Sequence, residues 1–129
     1  MSKITVGFLV ANQKTILKLS ELPLKTCTAE QAKKIRKYTK LINEEISNFE
    51  ETKNQYIVEN GTEEDGSYSI KDEVEVKKAE KWISDLLQTE VEQEFETFFT
   101  YEDVQKISEF TELSIKDLDV FETLGILQD

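Results

Sequence analysis

The chain has 129 residues, 38% of them hydrophobic and 33% charged, with a net charge of −11, one cysteine, one proline and no histidine. That length and composition describe one domain, residues 1–129, able to bury a core without disulfide or metal staples. The missing histidine excludes histidine triads and the usual zinc sites, the acidic balance argues against tracking of nucleic-acid phosphates, and no apolar run reaches bilayer length.

Residues 3–11, KITVGFLVA, place Ile4, Val6, Phe8 and Val10 on one face if extended and are rich in β-branched side chains, so they predict a strand. The run is strand-length and lacks a small-residue cleavage site, so it does not read as a signal peptide. Cys27, alone, fits a reducing cytosol. Residues 12–22 predict a short helix capped by Asn12, with Ile16, Leu17 and Leu19 inward and Pro23 as its stop.

Thr28 and Gln31 form a capping-box pattern that opens the strongest element. Ile35, Tyr38, Ile42, Ile46, Phe49 and Tyr56 recur at helical spacing and predict a helix over 29–58. Asn60-Gly61 and Asp65-Gly66 then reverse the chain. Residues 72–89 predict a second, antiparallel helix, with acids at its start and a stripe of Val76, Ala79, Ile83 and Leu86.

In QTEVEQEFETFF, residues 88–99, Glu90, Glu92, Glu94 and Glu96 occupy alternate positions opposite Val91, Phe95 and Phe99. A period of two predicts a half-buried strand over 90–99, with residues 3–10 as its natural partner. A pair of strands with free edges would also allow copies of the chain to join by strand pairing, a route to a homo-oligomer. Thr100 and Ser114, each followed at the third position by an aspartate, open two short closing helices, and Gly125 suits the end of the second. The expected fold is therefore α+β: a long antiparallel helical hairpin, a small two-stranded sheet and two short C-terminal helices.

Charge is split along the chain. Residues 1–58 hold ten Lys/Arg against six Asp/Glu, a balance of +4, and residues 59–129 hold six against twenty-one, a balance of −15. The long helix carries Lys33, Lys34, Arg36, Lys37 and Lys40 in its N-terminal half and Glu44, Glu45, Glu50 and Glu51 further on, the reverse of what its dipole favours. An antiparallel hairpin turning near residue 65 offsets this. It brings Glu50 and Glu51 toward Lys77, Lys78 and Lys81, and the basic cluster toward Glu90, Glu92 and Glu94.

Several features have a chemical and a plain reading. Alternate residues of a strand lie about 6.8 Å apart, so the glutamate row could imitate the phosphates of a nucleic-acid strand; the plain reading is a solvated strand face. Glu63-Glu64-Asp65 could hold calcium, but the alternating acids and closing glutamate of an EF-hand loop are missing. Cys27 has Lys25 nearby but no histidine to activate it. The basic cluster could hold phosphates, yet Tyr38 within it belongs to the apolar stripe. Phe98 falls on the glutamate face, where an exposed aromatic beside acids could anchor a partner.

KITVGFLVANQKTILKLSELPLKT, the lysine-rich AEQAKKIRKYTKLINEEI, the Asp-Gly turn and ISDLLQTEVEQEFETF together resemble small phage and prophage proteins of Gram-positive bacteria. The resemblance spans most of the chain and implies a cytoplasmic protein of the host cell with no family chemistry to transfer. The expectation is a non-enzymatic module that binds a host or phage protein, with Glu90, Glu92, Glu94, Glu96 and Phe98 as its partner-binding residues. It would have no catalytic residue, metal or cofactor, and no direct contact with nucleic acid or membrane. The alternatives are an acidic, DNA-mimicking inhibitor of a defence nuclease and a phage structural or assembly factor.

Overall fold

The structure, a computed structural model, describes residues 4–128. Its elements run α1 (Val6–Ala11), α2 (Gln13–Ser20), a 3₁₀ turn (Leu24–Thr26), α3 (Ala29–Asn60), β1 (Thr62–Glu64), β2 (Ser67–Ser69), α4 (Glu73–Leu87), α5 (Tyr101–Ile107) and α6 (Ile115–Leu124). The α+β class and the helical hairpin are as the sequence predicts, but the small sheet lies elsewhere.

Helix α3 is the frame. Thr28 Oγ1 accepts from the Gln31 N–H at 3.1 Å, while Gln31 Oε1 accepts from the Thr28 N–H at 2.9 Å. Such a reciprocal cap contributes about 1 kcal/mol. Its 32 residues extend about 48 Å. Ile35, Tyr38, Ile42, Ile46 and Phe49 are buried along one stripe, as their spacing predicts. Beyond Phe49 the hairpin carries little core, and the ring of Tyr56 stacks on Trp82 with centroids 4.4 Å apart. The turn is itself a hairpin: β1 and β2 pair antiparallel around Asp65 and Gly66, both with positive φ. These two strands are the sheet.

The strand expected over 3–11 is a helix from Val6 onward; Lys3 lies outside the described residues. Thr5 Oγ1 caps it by accepting from the Phe8 N–H at 3.1 Å. Fully buried Leu9 belongs to the wrong strand face but joins buried Val6 at helical spacing. The run is apolar at both parities, so a period of two and one of 3.6 fit it equally. Gly7 permits the close approach of α1 to the end of α4, since a Cβ there would stand 3.0 Å from the Leu87 carbonyl oxygen. In α2, Ile16 and Leu19 are buried as expected, but Leu17 is exposed. Asn12 precedes that helix without capping it, and its amide donates to the Phe8 carbonyl instead.

The core joins α1, α2 and the α3 stripe to Val91, Phe99, α5, α6 and the terminal Ile126-Leu127. Among the described residues it holds one buried carboxylate, Asp117. It closes the capping box of α6 with Ser114, accepts from Thr15 Oγ1 at 2.9 Å and pairs with Lys18 Nζ at 2.6 Å, fastening α6 to α2.

Candidate functional site: an acid-rimmed groove

Residues 90–99 form no strand ladder. Among the described residues the expected partnership with residues 3–10 is reduced to Thr5 opposite Glu90, with the Val91 N–H donating to the Ile4 carbonyl at 2.7 Å and the Val6 N–H to the Thr89 carbonyl at 2.9 Å. This antiparallel register carries residues 6–10 toward 85–89, where α4 ends. At the far end Phe99 stands beside Leu127 in a parallel bridging pair. Between these anchors the alternation persists. Val91, Phe95 and Phe99 turn inward, while Glu90, Glu92, Glu94 and Glu96 are exposed. Gln93 and Thr97 share the inward parity but are exposed.

Phe98 departs from the sequence expectation. It is half-buried, packed against the core, with its ring 5.9 Å from that of Tyr38 and 4.6 Å from that of Phe99. The cause is a bulge-like step. The adjacent N–H groups of Phe98 and Phe99 both donate to the Ile126 carbonyl, at 3.0 and 2.9 Å, and such a step turns neighbouring side chains out of alternation. Phe98 is therefore part of the packing that holds the segment and is not an exposed anchor.

Two residues outside the sequence-predicted site pin the segment to α3. The hydroxyl of buried Tyr38 accepts from the Glu96 N–H at 2.9 Å, and its ring meets Phe95 edge-on at 5.0 Å. Gln31 Nε2 donates to the Phe98 carbonyl at 2.8 Å and to Asp103 Oδ2 at 3.1 Å, joining the capping boxes of α3 and α5. No local pattern announces the second use of Tyr38 or Gln31; each already has a sufficient explanation, as stripe or as cap.

The antiparallel charge register is met by a pair other than those expected: the basic cluster reaches Glu96, one step beyond the glutamates it was expected to face. Lys34 Nζ lies 3.0 Å from Glu96 Oε2. Their hydrogen bond, the largest influence on each, lowers the Glu96 pKa and raises that of Lys34. At the other end of the hairpin, among the described residues, Glu50 and Glu51 form no ion pair with Lys77, Lys78 or Lys81. The row of four glutamates is therefore not uniform. Glu96 is matched by a cation, while among the described residues Glu92 and Glu94 form no ion pair.

Segment 90–97 forms one wall of an open groove of about 1000 Å³. The opposite wall is the last turn of α6 and the chain leaving it, Glu122, Thr123, Leu124 and Gly125 with Leu127 and Gln128. Gly125, in the left-handed region at φ 90°, makes that wall. The Ile126 N–H reaches back to the Phe121 carbonyl at 3.2 Å, the Schellman pattern, and buries Ile126. Thr97 Oγ1 ties the two walls by donating to the Gly125 carbonyl at 2.6 Å. Buried Ile4, Val91, Leu124 and Leu127 contribute the apolar lining, and Glu90, Glu92, Glu94 and Glu122 contribute the charge.

The other chemical readings acquire definite surroundings. Glu64 pairs with Lys71, and Glu63 accepts from the Tyr68 hydroxyl at 3.4 Å, so the acidic turn directs its carboxylates to separate partners. Cys27 lies beside Thr26 Oγ1 at 3.6 Å, and Lys25 sits over the Phe110 ring at 4.4 Å. Among the described residues no cluster of acids and cysteine is placed to hold a metal ion, and no helix is long and apolar enough to cross a membrane. Comparison of the chain with protein-family models, curated proteins and solved structures gives no match.

Proposed function

We propose that the chain is a non-enzymatic, phage- or prophage-encoded module that binds a host or phage protein, and that the acid-rimmed groove is its docking surface. The observation that carries this reading is the pairing of a partly apolar groove lining with Glu92 and Glu94, which among the described residues form no ion pair. Concave apolar surface with a few convergent charged groups is the usual make-up of a binding site. Rim charges of one sign steer a partner of the other.

The DNA-mimic alternative is less well supported. A phosphate imitation needs an unbroken row of negative charge, and Lys34 neutralises Glu96 within that row.

Affinity capture from a Gram-positive bacterial lysate tests the reading. The wild type is run beside a Glu92→Gln/Glu94→Gln variant, with and without nuclease, at low and high salt. The expected result is a protein partner that survives nuclease and is lost from the variant. Partners retained equally by the variant would refute this docking surface, and capture that requires nucleic acid would refute protein binding.

A further inference from the structure

The groove wall has a property that side chains alone do not reveal. Among the described residues, the backbone N–H groups of Glu92, Gln93, Glu94 and Phe95 donate no hydrogen bond to the protein. Val91 on one side is fixed to Ile4, and Glu96 on the other to Tyr38. The chain between is held at both ends and runs beside the groove. Successive N–H groups of an extended chain point to opposite edges, so those of Gln93 and Phe95 share the edge that Val91 turns to Ile4, and those of Glu92 and Glu94 the edge that Glu96 turns to Tyr38. Among the described residues the edge of Gln93 and Phe95 has no strand partner beyond Ile4, and edges of this kind accept a strand from another chain.

We propose that residues 92–95 receive an extended peptide segment of the partner protein, added as a strand in the groove, with lysine or arginine alternating with apolar residues. The alternation follows from cross-strand geometry. Side chains directly opposite one another lie about 5 Å apart on the same face. Basic residues on the face of Glu92 and Glu94 meet carboxylates, and the apolar residues between them meet the lining formed by Val91 and Phe95. Charge selects this occupant over a second copy of the chain, because antiparallel self-pairing about this edge opposes glutamates to glutamates, which is unfavourable. The inference rests on the groove being the docking surface proposed above, and it adds the class of partner segment and its mode of attachment.

Three synthetic peptides test it against the intact protein. The first alternates lysine with valine, and the second has the same composition with its lysines in one block. The third, in two versions, is the alternating peptide with N-methyl groups on either the lysine or the valine amides. Binding is read by fluorescence anisotropy and by amide shifts at residues 92–95. The alternating peptide should bind, the block peptide about tenfold more weakly, and Glu92→Gln/Glu94→Gln should weaken the first by a similar factor. Strand addition uses one edge of the peptide, so one N-methylated version should lose binding and the other keep it. Equal binding of the block peptide, equal behaviour of both methylated versions, or no binding at all would overturn the proposal. A concentration-dependent molecular mass that collapses when the alternating peptide is added would give the edge to a second copy, and would also overturn it. The two levels fail differently. Partner capture that depends on Glu92 and Glu94 while the peptides fail removes strand addition alone; capture independent of both glutamates removes the docking surface.

Discussion

Asp117 should make stability depend on pH in a way that replacement by asparagine abolishes. Its carboxyl is buried, which pushes the pKa up, yet hydrogen bonds from Lys18, the Ser114 backbone and Thr15, with the Lys18 charge, outweigh that and hold it at about 2 against an ordinary 3.8. Each pKa unit is worth 1.36 kcal/mol, so the folded state gains about 2 kcal/mol from keeping this group ionised. Because the folded pKa is the lower one, the gain is complete above about pH 4 and is lost as pH falls through about 2. Asp117→Asn keeps the shape and most of the cap but removes the charge. The Lys18 side chain left behind is 38% exposed and can hydrate. The cost should therefore stay near about 2 kcal/mol and below the 3–5 kcal/mol typical when a fully buried pair is broken.

Urea unfolding of both proteins at pH 7 and pH 2.5 provides the assay. The midpoint at pH 7 should fall by about 1 M for a chain of this size. The difference in free energy should shrink to about 1 kcal/mol at pH 2.5, where part of the wild-type advantage has been protonated away. A penalty of equal size at the two pH values would show that the loss lies in packing or in the cap, and the electrostatic argument would be wrong. The site is involved because α6, fastened through this carboxylate, leads directly into the groove wall at 122–128.

Other expectations concern the groove itself. Gly125→Ala should cost about 1 kcal/mol or more, since an L side chain is strained at φ 90° and its Cβ would stand 3.4 Å from the Phe95 carbonyl oxygen; thermal unfolding measures the cost, and amide shifts along 122–128 report the displaced wall. Tyr38→Phe removes the acceptor of the Glu96 N–H, and should cost about 1 kcal/mol with faster hydrogen exchange at that amide. Lys34→Ala should return the Glu96 pKa upward toward its ordinary value, visible in an NMR titration of the side-chain carboxyl, with little change in overall stability because the pair is exposed.

The parts of this fold legible in the sequence are those whose signals are local and redundant. Thr28 and Gln31 mark the start of α3 by spacing alone, and the stripe from Ile35 to Phe49 repeats often enough to settle its period. Thr100 with Asp103 and Ser114 with Asp117 close their capping boxes as expected. The first eleven residues were not legible because Val6, Phe8, Leu9 and Val10 satisfy either period, and the deciding hydrogen bond from the Phe8 N–H to Thr5 is a single contact. Segment 90–99 was expected to pair with residues 3–10, but the antiparallel register of Thr5 with Glu90 sets residues 6–10 against 85–89, so among the described residues only Ile4 and Thr5 of that run lie beside it. Phe98 was misplaced for a different reason. Strict alternation assigns it to the glutamate face, and only the shared Ile126 carbonyl turns it toward Tyr38.

An edge such as that of Gln93 and Phe95, which has, among the described residues, no strand partner beyond Ile4, invites association with any extended chain, including another copy of itself. Charged side chains are a common means of blunting such an edge. Glu92 and Glu94 are exposed on that stretch, and on the proposed reading they would repel a second acidic copy while leaving the peptide groups accessible to a basic strand. The solvated-face and partner-binding readings of the glutamate row are therefore not exclusive. On the strand addition proposed above, carboxylates that keep the edge from joining its own kind would also select the charge of the strand that joins it.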